Sequence, residues 1–230
     1  MSARFVQNED VSCRMFRSSW LEAVSHVHPV VPHVIFVPVI AALLWSSGAT
    51  MRPRALGAAF VLGVLLWTLT EYLIHRFVFH PPPAIEDDTR RIVGGLGPGE
   101  AAMPALPTWR HRFYFVVHGV HHDFPNDSRR LVMPPVVSVP LAAIFYGIFV
   151  VSFGPGANAA FAGFVAGYLW YDTIHYLTHH GSRHTALGRY LRRAHFGHHY
   201  VDSTTNYGVS SPLWDLVLGT RAGGTSSPRA

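Results

Sequence analysis

Residues 157–177 read ANAAFAGFVAGYLWYDTIHYL, an apolar segment that contains a histidine near its end. The segment has the ~20 residues that a helix needs to cross the hydrocarbon core of a bilayer. Three further stretches, at 29–46, 55–74 and 133–153, have a similar length and composition. The sequence therefore predicts four transmembrane helices, in preference to the buried helices of a soluble bundle.

The turns between these stretches are short, which predicts two antiparallel hairpins. Residues 46–54 separate the first two stretches, and residues 154–156 separate the last two. Every histidine cluster described below is then expected on one side of the membrane. That side also holds most of the arginines, whereas the opposite side has only Arg52 and Arg54. The positive-inside rule makes the histidine side cytoplasmic, in the inner membrane of a bacterium or the endoplasmic reticulum of a eukaryote.

The composition is typical of a membrane protein with a single domain. Of the 230 residues, 49% are hydrophobic and 13% are charged, against about a quarter charged in a soluble domain. We expect a cytosolic or interfacial arm at 1–28, a membrane domain at 29–220 that includes an irregular loop at 81–110, and a frayed tail at 221–230. The arm has no continuous apolar core, so a signal peptide is not expected.

Charge and cysteine content exclude several classes of function. The net charge of +5 fits attraction to anionic lipid headgroups. No nucleic-acid motif occurs, so nucleic acid is not an expected partner. Cys13 is the only cysteine, which excludes an intramolecular disulfide and a thiolate metal site.

Ten of the 16 histidines fall in four clusters. Imidazole nitrogen suits zinc, copper, iron and nickel, and ionisable groups near a bilayer are usually functional. Ten ligands are too many for one ion but suit two, so the clusters predict a two-metal centre at the membrane surface. The clustered histidines are His75, His80, His118, His121, His122, His175, His179, His195, His198 and His199.

The spacing of the clusters indicates how the ligands divide between two ions. His118 and His122 are one helical turn apart, so they can hold the same ion. His121 is about 100° from His122 around the helix axis, so it points towards a second ion. The cluster at 195–199 repeats this arrangement.

The two remaining clusters are simple pairs. His175 and His179 are one turn apart, whereas His75 and His80 lie about 140° apart on an ideal helix. We therefore expect the helix to fray before Pro81. Each ion then receives one pair from an H-x-x-H-H cluster, one simple pair and one crossing histidine, that is, the middle histidine of the other H-x-x-H-H cluster.

Carboxylates recur near the clusters. Ligating histidines usually donate their second N–H to a carboxylate or a carbonyl, and we expect Glu71 and Asp172 to accept such bonds. Asp123 and Asp202 either do the same or lie solvated at helix ends. The other histidines are expected at the surface, behind the ligands or at the membrane interface: His26, His28, His33, His111, His180 and His184.

Three further motifs accompany the histidines. They are the Arg-Arg-Leu-Val-Met-Pro-Pro segment at 129–135, the Tyr171-Asp172 pair, and the segment at 207–215 with Gly-Thr at 219–220. Together with the clusters, over about two thirds of the chain, they make the sequence resemble the fatty acid hydroxylase superfamily, in particular the fatty acid/sphingolipid 2-hydroxylases.

The resemblance implies an all-α membrane protein with four transmembrane helices beneath a cytosolic helical cap. It implies a dimetal site held by the ten clustered histidines, with Tyr171 and Asp172 as candidate catalytic residues. The implied reaction is hydroxylation of a lipid acyl chain at C2 with O2 and two electrons. Structures of the family suggest zinc, but zinc has no redox chemistry, so iron is expected in the active enzyme.

The chain departs from the family in two places. Many eukaryotic relatives carry an N-terminal cytochrome b5 domain, and residues 1–28 are too short for one. Electrons are therefore expected from a separate donor, either cytochrome b5-like or ferredoxin-like. In addition, the 37 residues between His80 and His118 exceed the gap that is usual in the family.

Two alternatives remain open. A carotenoid or sterol hydroxylase of the same superfamily would have similar histidine clusters, although the motifs at 129–135 and 207–215 argue against it. A histidine-rich metal transporter would need polar residues through the middle of the spans, and few occur there.

Overall fold

The computed structural model describes residues 9–181 and 185–222. This part of the chain is helical, and it contains no strand. Its elements in chain order are α1 (Ser19–Val24), α2 (Val31–Gly48), α3 (Pro53–Ile74), a π-helical turn (His75–Phe79), α4 (Pro83–Gly94), α5 (Ala102–Ala105), α6 (Trp109–Tyr114), a second π-helical turn (Phe115–Gly119), α7 (Val120–Asp123), α8 (Pro135–Phe153), a 3₁₀ turn (Gly154–Gly156), α9 (Ala157–His180), α10 (Ala186–Tyr200) and α11 (Leu213–Val217).

Three segments of the described chain are long and apolar enough to cross a membrane. They cover Val31–Gly48, Pro53–Phe79 and Pro135–His180. The third segment has 46 residues and contains both α8 and α9, which are joined by the turn at Gly154. The backbone of Gly154 has a φ of 49°, a conformation that glycine adopts without steric penalty. These apolar helices identify the chain as a membrane protein.

Proline marks the first residue of two long helices. Pro53 and Pro135 occupy the first position of α3 and α8, where the missing N–H of proline would have no partner in any case. The shorter α10 begins differently, because the hydroxyl of Thr185 accepts a hydrogen bond from the Gly188 backbone at 3.0 Å. Such a cap satisfies one of the unpaired N–H groups at the helix start.

Helix α9 lies at the centre of the apolar helices, in contact with α2, α3 and α8. Glycines bring α3 and α9 together at backbone distance. A Cβ atom at Gly63 would overlap the carbonyl of Ala160, and one at Gly163 would overlap the carbonyl of Phe60. Small residues at such a crossing allow the close packing that stabilises helix pairs in a bilayer.

Two apolar clusters of buried residues support the fold. The cluster among the long helices includes Phe36, Trp67, Phe149, Phe161, Phe164 and Tyr168. The second cluster joins the N-terminal arm to the segment between α3 and α7, and it includes Met15, Val93, Leu106, Phe115, Val120 and Phe124.

The structure differs from the expected domain organisation in one segment. Residues 81–110 are not an irregular loop throughout, because Pro83–Gly94 forms the amphipathic helix α4 and buries Glu86, Thr89, Arg90 and Val93. In the arm, Met15 and Val27 are buried, and the carbonyl of Met15 accepts a hydrogen bond from the Met103 backbone at 3.0 Å. Most of the predicted tail, residues 223–230, lies outside the described residues.

Candidate metal centre

The structure brings all ten clustered histidines together between the long helices and the shorter ones. They form two groups of five, and within each group the ligand nitrogens all lie within 4.8 Å of one another. The first group, called group A, consists of His75, His80, His118, His122 and His198. The second, called group B, consists of His121, His175, His179, His195 and His199.

In group A the Nε2 atoms point towards a common centre. The Nε2 atom of His118 lies 3.1 Å from that of His75 and 2.9 Å from that of His122. The Nε2 atom of His80 lies 3.3 Å from that of His75 and 2.9 Å from that of His198. Group A therefore takes one H-x-x-H-H pair, one simple pair and one crossing histidine, which is the division that the spacing indicates.

Group B has the same arrangement. The Nε2 atoms of His121 and His175 are 2.9 Å apart. The Nε2 atom of His195 lies 2.9 Å from that of His179 and 3.0 Å from that of His199. The groups are adjacent, because the rings of His122 in group A and His199 in group B stack with centroids 4.2 Å apart.

A π-helical turn brings His75 and His80 together. The expected fraying is replaced by an ordered turn over His75–Phe79, after which His80 is extended, with φ −102° and ψ 100°. A π turn places its hydrogen bonds between residues five apart, which is the separation of the two histidines. A second π turn, over Phe115–Gly119, contains His118.

Carbonyl groups fix the tautomer of three histidines. The Nδ1–H groups of His75 and His198 donate to the carbonyls of Tyr207 and Thr205, at 2.5 and 2.7 Å. In group B, the Nδ1–H of His175 donates to a backbone carbonyl at 3.1 Å. A carbonyl accepts only, so the proton must sit on Nδ1 and Nε2 must carry a lone pair.

Burial keeps these rings neutral. It lowers the pKa of His198 to about 3, with a further contribution from the neighbouring His80. The pKa values of His118 and His122 are also well below the usual range, because burial disfavours the charged form and the other histidines repel it. Buried lone pairs that converge without a proton repel one another unless a cation lies between them. The donor set of each group therefore fits a divalent metal ion.

Sequence reasoning missed the carboxylate that contacts a histidine of this centre. Glu86 on α4 accepts a hydrogen bond from Nδ1 of His80 at 2.6 Å and one from Ser203 at 3.3 Å. One turn later on the same helix face, Nε of Arg90 donates to Asp123 at 3.0 Å. The i, i+4 spacing of Glu86 and Arg90 was visible in the sequence, but the contacts join residues far apart in the chain.

The role expected for Glu71 is wrong, since its carboxylate does not accept from a histidine. It accepts from the backbone N–H groups of Val209 and Ser210, at 2.7 and 2.8 Å, and from the Ser210 hydroxyl. Asp172 is also buried, with 1% exposure. It does not accept from His175 as expected, because the Nδ1–H of that histidine donates to the carbonyl of Leu131.

Tyr171 and Asp172 lie on α9, about one helical turn before His175 of group B. The ring of Tyr171 stacks on that of His175, with centroids 5.6 Å apart. Both carboxylate oxygens of Asp172 are buried without a hydrogen-bond partner among the described residues. Two alternatives were predicted for Asp123 and Asp202, a bond to a ligating histidine or a solvated helix end. In the structure Asp123 pairs with Arg90, and Asp202 accepts from the backbone and hydroxyl of Thr204.

The remaining histidines stay outside both groups. His111 is buried and contacts Thr108 and Asp88, and His180 stacks on Tyr176 with centroids 5.0 Å apart. His33 contacts the Thr173 hydroxyl at 3.0 Å, whereas His28 is exposed. His184 lies outside the described residues.

The fold and the site together define a helical membrane protein with two adjacent histidine-lined metal positions. Residues 60–220 match the model of the family described as fatty acid hydroxylase. The chain belongs to this family, which confirms the family predicted from its motifs.

Named relatives and a solved structure agree with this assignment. The chain is 34% identical over 229 residues to fatty acid 2-hydroxylase of Rattus norvegicus, covering 90% of this chain and 56% of that protein. It is 31% identical over 214 residues to dihydroceramide fatty acyl 2-hydroxylase FAH2 of Arabidopsis thaliana, covering 91% of this chain and 80% of that protein. The structure of full-length Scs7p, with only its hydroxylase domain visible, matches with a TM-score of 0.74 at 33% identity over 89% of this chain and 70% of that one. The chain thus spans just over half the length of the rat relative.

Proposed function

We propose that the chain hydroxylates a lipid acyl chain at C2, at a two-metal centre held by the ten histidines of groups A and B. The observation that carries this proposal is the convergence of two sets of five Nε2 atoms in adjacent groups. The names of the rat and Arabidopsis relatives, a fatty acid 2-hydroxylase and a dihydroceramide fatty acyl 2-hydroxylase, support both the substrate class and the position.

The bound metal pair would supply the activation of O2, which the protein's own side chains cannot perform. Iron suits this task, because zinc has no redox chemistry. In the overall reaction one oxygen atom of O2 enters the C2–H bond and the other leaves as water. Two electrons and two protons balance the reaction, and a separate donor of the cytochrome b5 or ferredoxin type supplies the electrons.

The chain's own residues hold the ions and keep water from the site. Every histidine of group B is buried, and Phe115 and Val120, on either side of His118 in the sequence, belong to a buried apolar cluster. Tyr171, stacked on His175, is placed to contact the acyl chain beside group B. We assign Asp172 to the same wall as a substrate-facing residue, because its carboxylate is buried and has no hydrogen-bond partner in the described part of the chain.

We infer that the membrane domain at 29–220 crosses the bilayer four times. The 46-residue apolar segment is about twice the length of one crossing, and its reversal at Gly154 supports two crossings. The histidine groups then lie at the cytoplasmic face, where most of the arginines are, and a lipid tail can reach them from the bilayer.

The test is metal analysis combined with product analysis on the purified protein in lipid nanodiscs. After loading with Fe²⁺, the protein is given ¹⁸O2, reduced cytochrome b5 or ferredoxin, and either a free fatty acid or a dihydroceramide. We expect two metal ions per chain and one ¹⁸O atom at C2 of the acyl product.

Two variants make the test specific. His121→Ala should remove product formation, because it deletes a group B ligand. His28→Ala, which changes an exposed histidine, should leave it unchanged. Full activity in His121→Ala would contradict the proposed site, and ¹⁸O at another carbon or in a carotenoid or sterol would contradict the proposed substrate class.

A further inference from the structure

The outer nitrogens of the histidines distinguish the two groups. In group A, three of the five Nδ1 atoms have a backbone carbonyl or a carboxylate as acceptor in the described chain: two carbonyls for His75 and His198, and the Glu86 carboxylate for His80. Each of these bonds fixes a ring orientation and a tautomer before an ion arrives. Three of the five rings in group A are therefore held in the orientation that metal binding needs.

Group B lacks this support among the described residues. Within residues 9–181 and 185–222, only His175 of this group has an acceptor for its Nδ1–H, the carbonyl of Leu131. The Nδ1 atoms of the other four histidines are buried without a hydrogen-bond partner in residues 9–181 and 185–222; they belong to His121, His179, His195 and His199. These rings must adopt their ligand tautomer and orientation without a second bond to hold them.

The charges beside the two groups also differ. Glu86 places a buried carboxylate directly on a group A ring, which increases the electron density that the ring offers to a cation. Beside group B, the guanidinium of Arg192 donates to the carbonyls of Thr178 and His179. A positive charge at that position opposes a second cation nearby.

We propose that the two metal positions are unequal, with group A holding its ion more tightly and filling first, and group B holding an exchangeable ion. This inference rests on the proposed two-metal function. Outer partners of ligating residues typically change metal affinity by about 10–100-fold, and group A has three such partners against one in group B. The order of filling follows from that difference.

Helix α4 supplies the anionic part of this difference. Glu86 is a positioning residue, since it acts on the ion through His80. Its helix is fixed to the centre at a second point by the Arg90–Asp123 ion pair, one turn away. The segment between the first two histidine clusters thus supports group A specifically and does not contact a group B ring with a carboxylate.

The test uses the full chain in nanodiscs, loaded with Zn²⁺ and then exposed to excess chelator. Zinc content per chain is followed over time by elemental analysis, a readout that needs no catalytic activity. We expect two phases of one equivalent each, with rates that differ by at least about 10-fold. His179→Ala, in group B, should retain about one equivalent, and that ion should leave slowly.

Variants of Glu86 identify the source of the slow phase. Glu86→Ala should accelerate the slow phase towards the fast one, and Glu86→Gln should restore part of the difference because its amide oxygen still accepts from Nδ1 of His80. Asp87→Asn, an exposed neighbour on the same helix, should leave both phases unchanged.

The possible results distinguish a failure of the unequal metal positions from a failure of the two-metal function. A protein that binds no zinc would overturn the two-metal function itself. Two ions that leave at the same rate, or a His179→Ala variant whose remaining ion leaves quickly, would overturn the unequal positions while leaving the two-metal function intact. A Glu86→Ala variant that accelerates only the fast phase would also overturn them.

Discussion

The contact between α3 and α9 and the layer of ten histidines above it are held together by different forces. In the helix contact, Gly63 and Gly163 allow backbone to touch backbone, so shape alone decides whether the helices meet. In the histidine layer, hydrogen bonds from outer nitrogens to carbonyls and to Glu86 orient four of the ten rings. The first region is sensitive to added volume, and the second to lost acceptors and ions.

The largest effect is expected from adding volume to the helix contact. In Gly163→Leu the new side chain would overlap the Phe60 carbonyl, and the backbone can avoid it only if the helices separate. We expect a loss of more than about 5 kcal/mol of stability, seen as failure to purify as a monodisperse species on size-exclusion chromatography.

A matched variant on α3 separates this steric effect from hydrophobicity. Gly57 has open space where its Cβ would be, so Gly57→Leu should purify normally. A monodisperse Gly163→Leu protein with a normal melting temperature would show that the helices are not held at backbone distance.

The next largest effect is expected in the histidine layer when its metal ions are removed. An ion that binds only the folded state stabilises it by about 4 kcal/mol at a thousand times its Kd. Chelator treatment should therefore lower the melting temperature of zinc-loaded protein by roughly 10 °C, as followed by scanning fluorimetry. An unchanged melting temperature would mean that the converged nitrogens do not hold ions.

The helix boundaries show how much of the fold the sequence could predict. The apolar stretch predicted at 157–177 is the helix Ala157–His180, and the stretch predicted at 55–74 is the helix Pro53–Ile74. Their ends are marked locally, by a change from apolar to polar residues and by Pro53. The grouping of the histidines was also accessible, because residues one turn apart share a helix face.

The parts that could not be predicted depend on contacts between distant residues or on backbone details. Glu86 lies in an amphipathic helix with several charges, and nothing local distinguishes it from Asp87 or Asp88 as the partner of His80. Glu71 is one turn from a ligand in sequence, yet its acceptor atoms face Val209 and Ser210. The π turns could not be predicted, since each adds only one residue to a helix turn and the segment after it is too short to show the shifted periodicity.

A smaller loss of stability is expected from changing Glu71, which lies on α3 between the helix contact and the histidine layer. Glu71→Ala would leave the buried N–H groups of Val209 and Ser210 without an acceptor, at an expected loss of roughly 3 kcal/mol. The measurement is the melting temperature together with the rate of proteolysis within residues 207–215. Glu100→Ala, at an exposed site, should change neither; equal values for both variants would contradict the role assigned to Glu71.

The smallest effect is expected from a single hydrogen bond at the same junction. The indole N–H of Trp214 on α11 donates to the Thr68 hydroxyl on α3 at 3.1 Å. Trp214→Phe keeps most of the ring and should lower stability by about 1 kcal/mol, or roughly 3 °C in melting temperature. Trp45→Phe is the control, because Trp45 is 86% exposed. A larger loss of stability in Trp45→Phe would contradict the stabilising role assigned to the Trp214 hydrogen bond.

The π turn at His75–Phe79 has a consequence for how one helix serves two environments. Along α3 the apolar side chains must keep a constant angular phase so that they face lipid over the whole span. The extra residue in the π turn shifts that phase in the last five residues of the apolar segment Pro53–Phe79. His75 and His80 can then face inward although the outward side, with Phe77 66% exposed, remains apolar. One continuous helix can therefore keep an apolar outer side and still direct two histidines towards the metal centre.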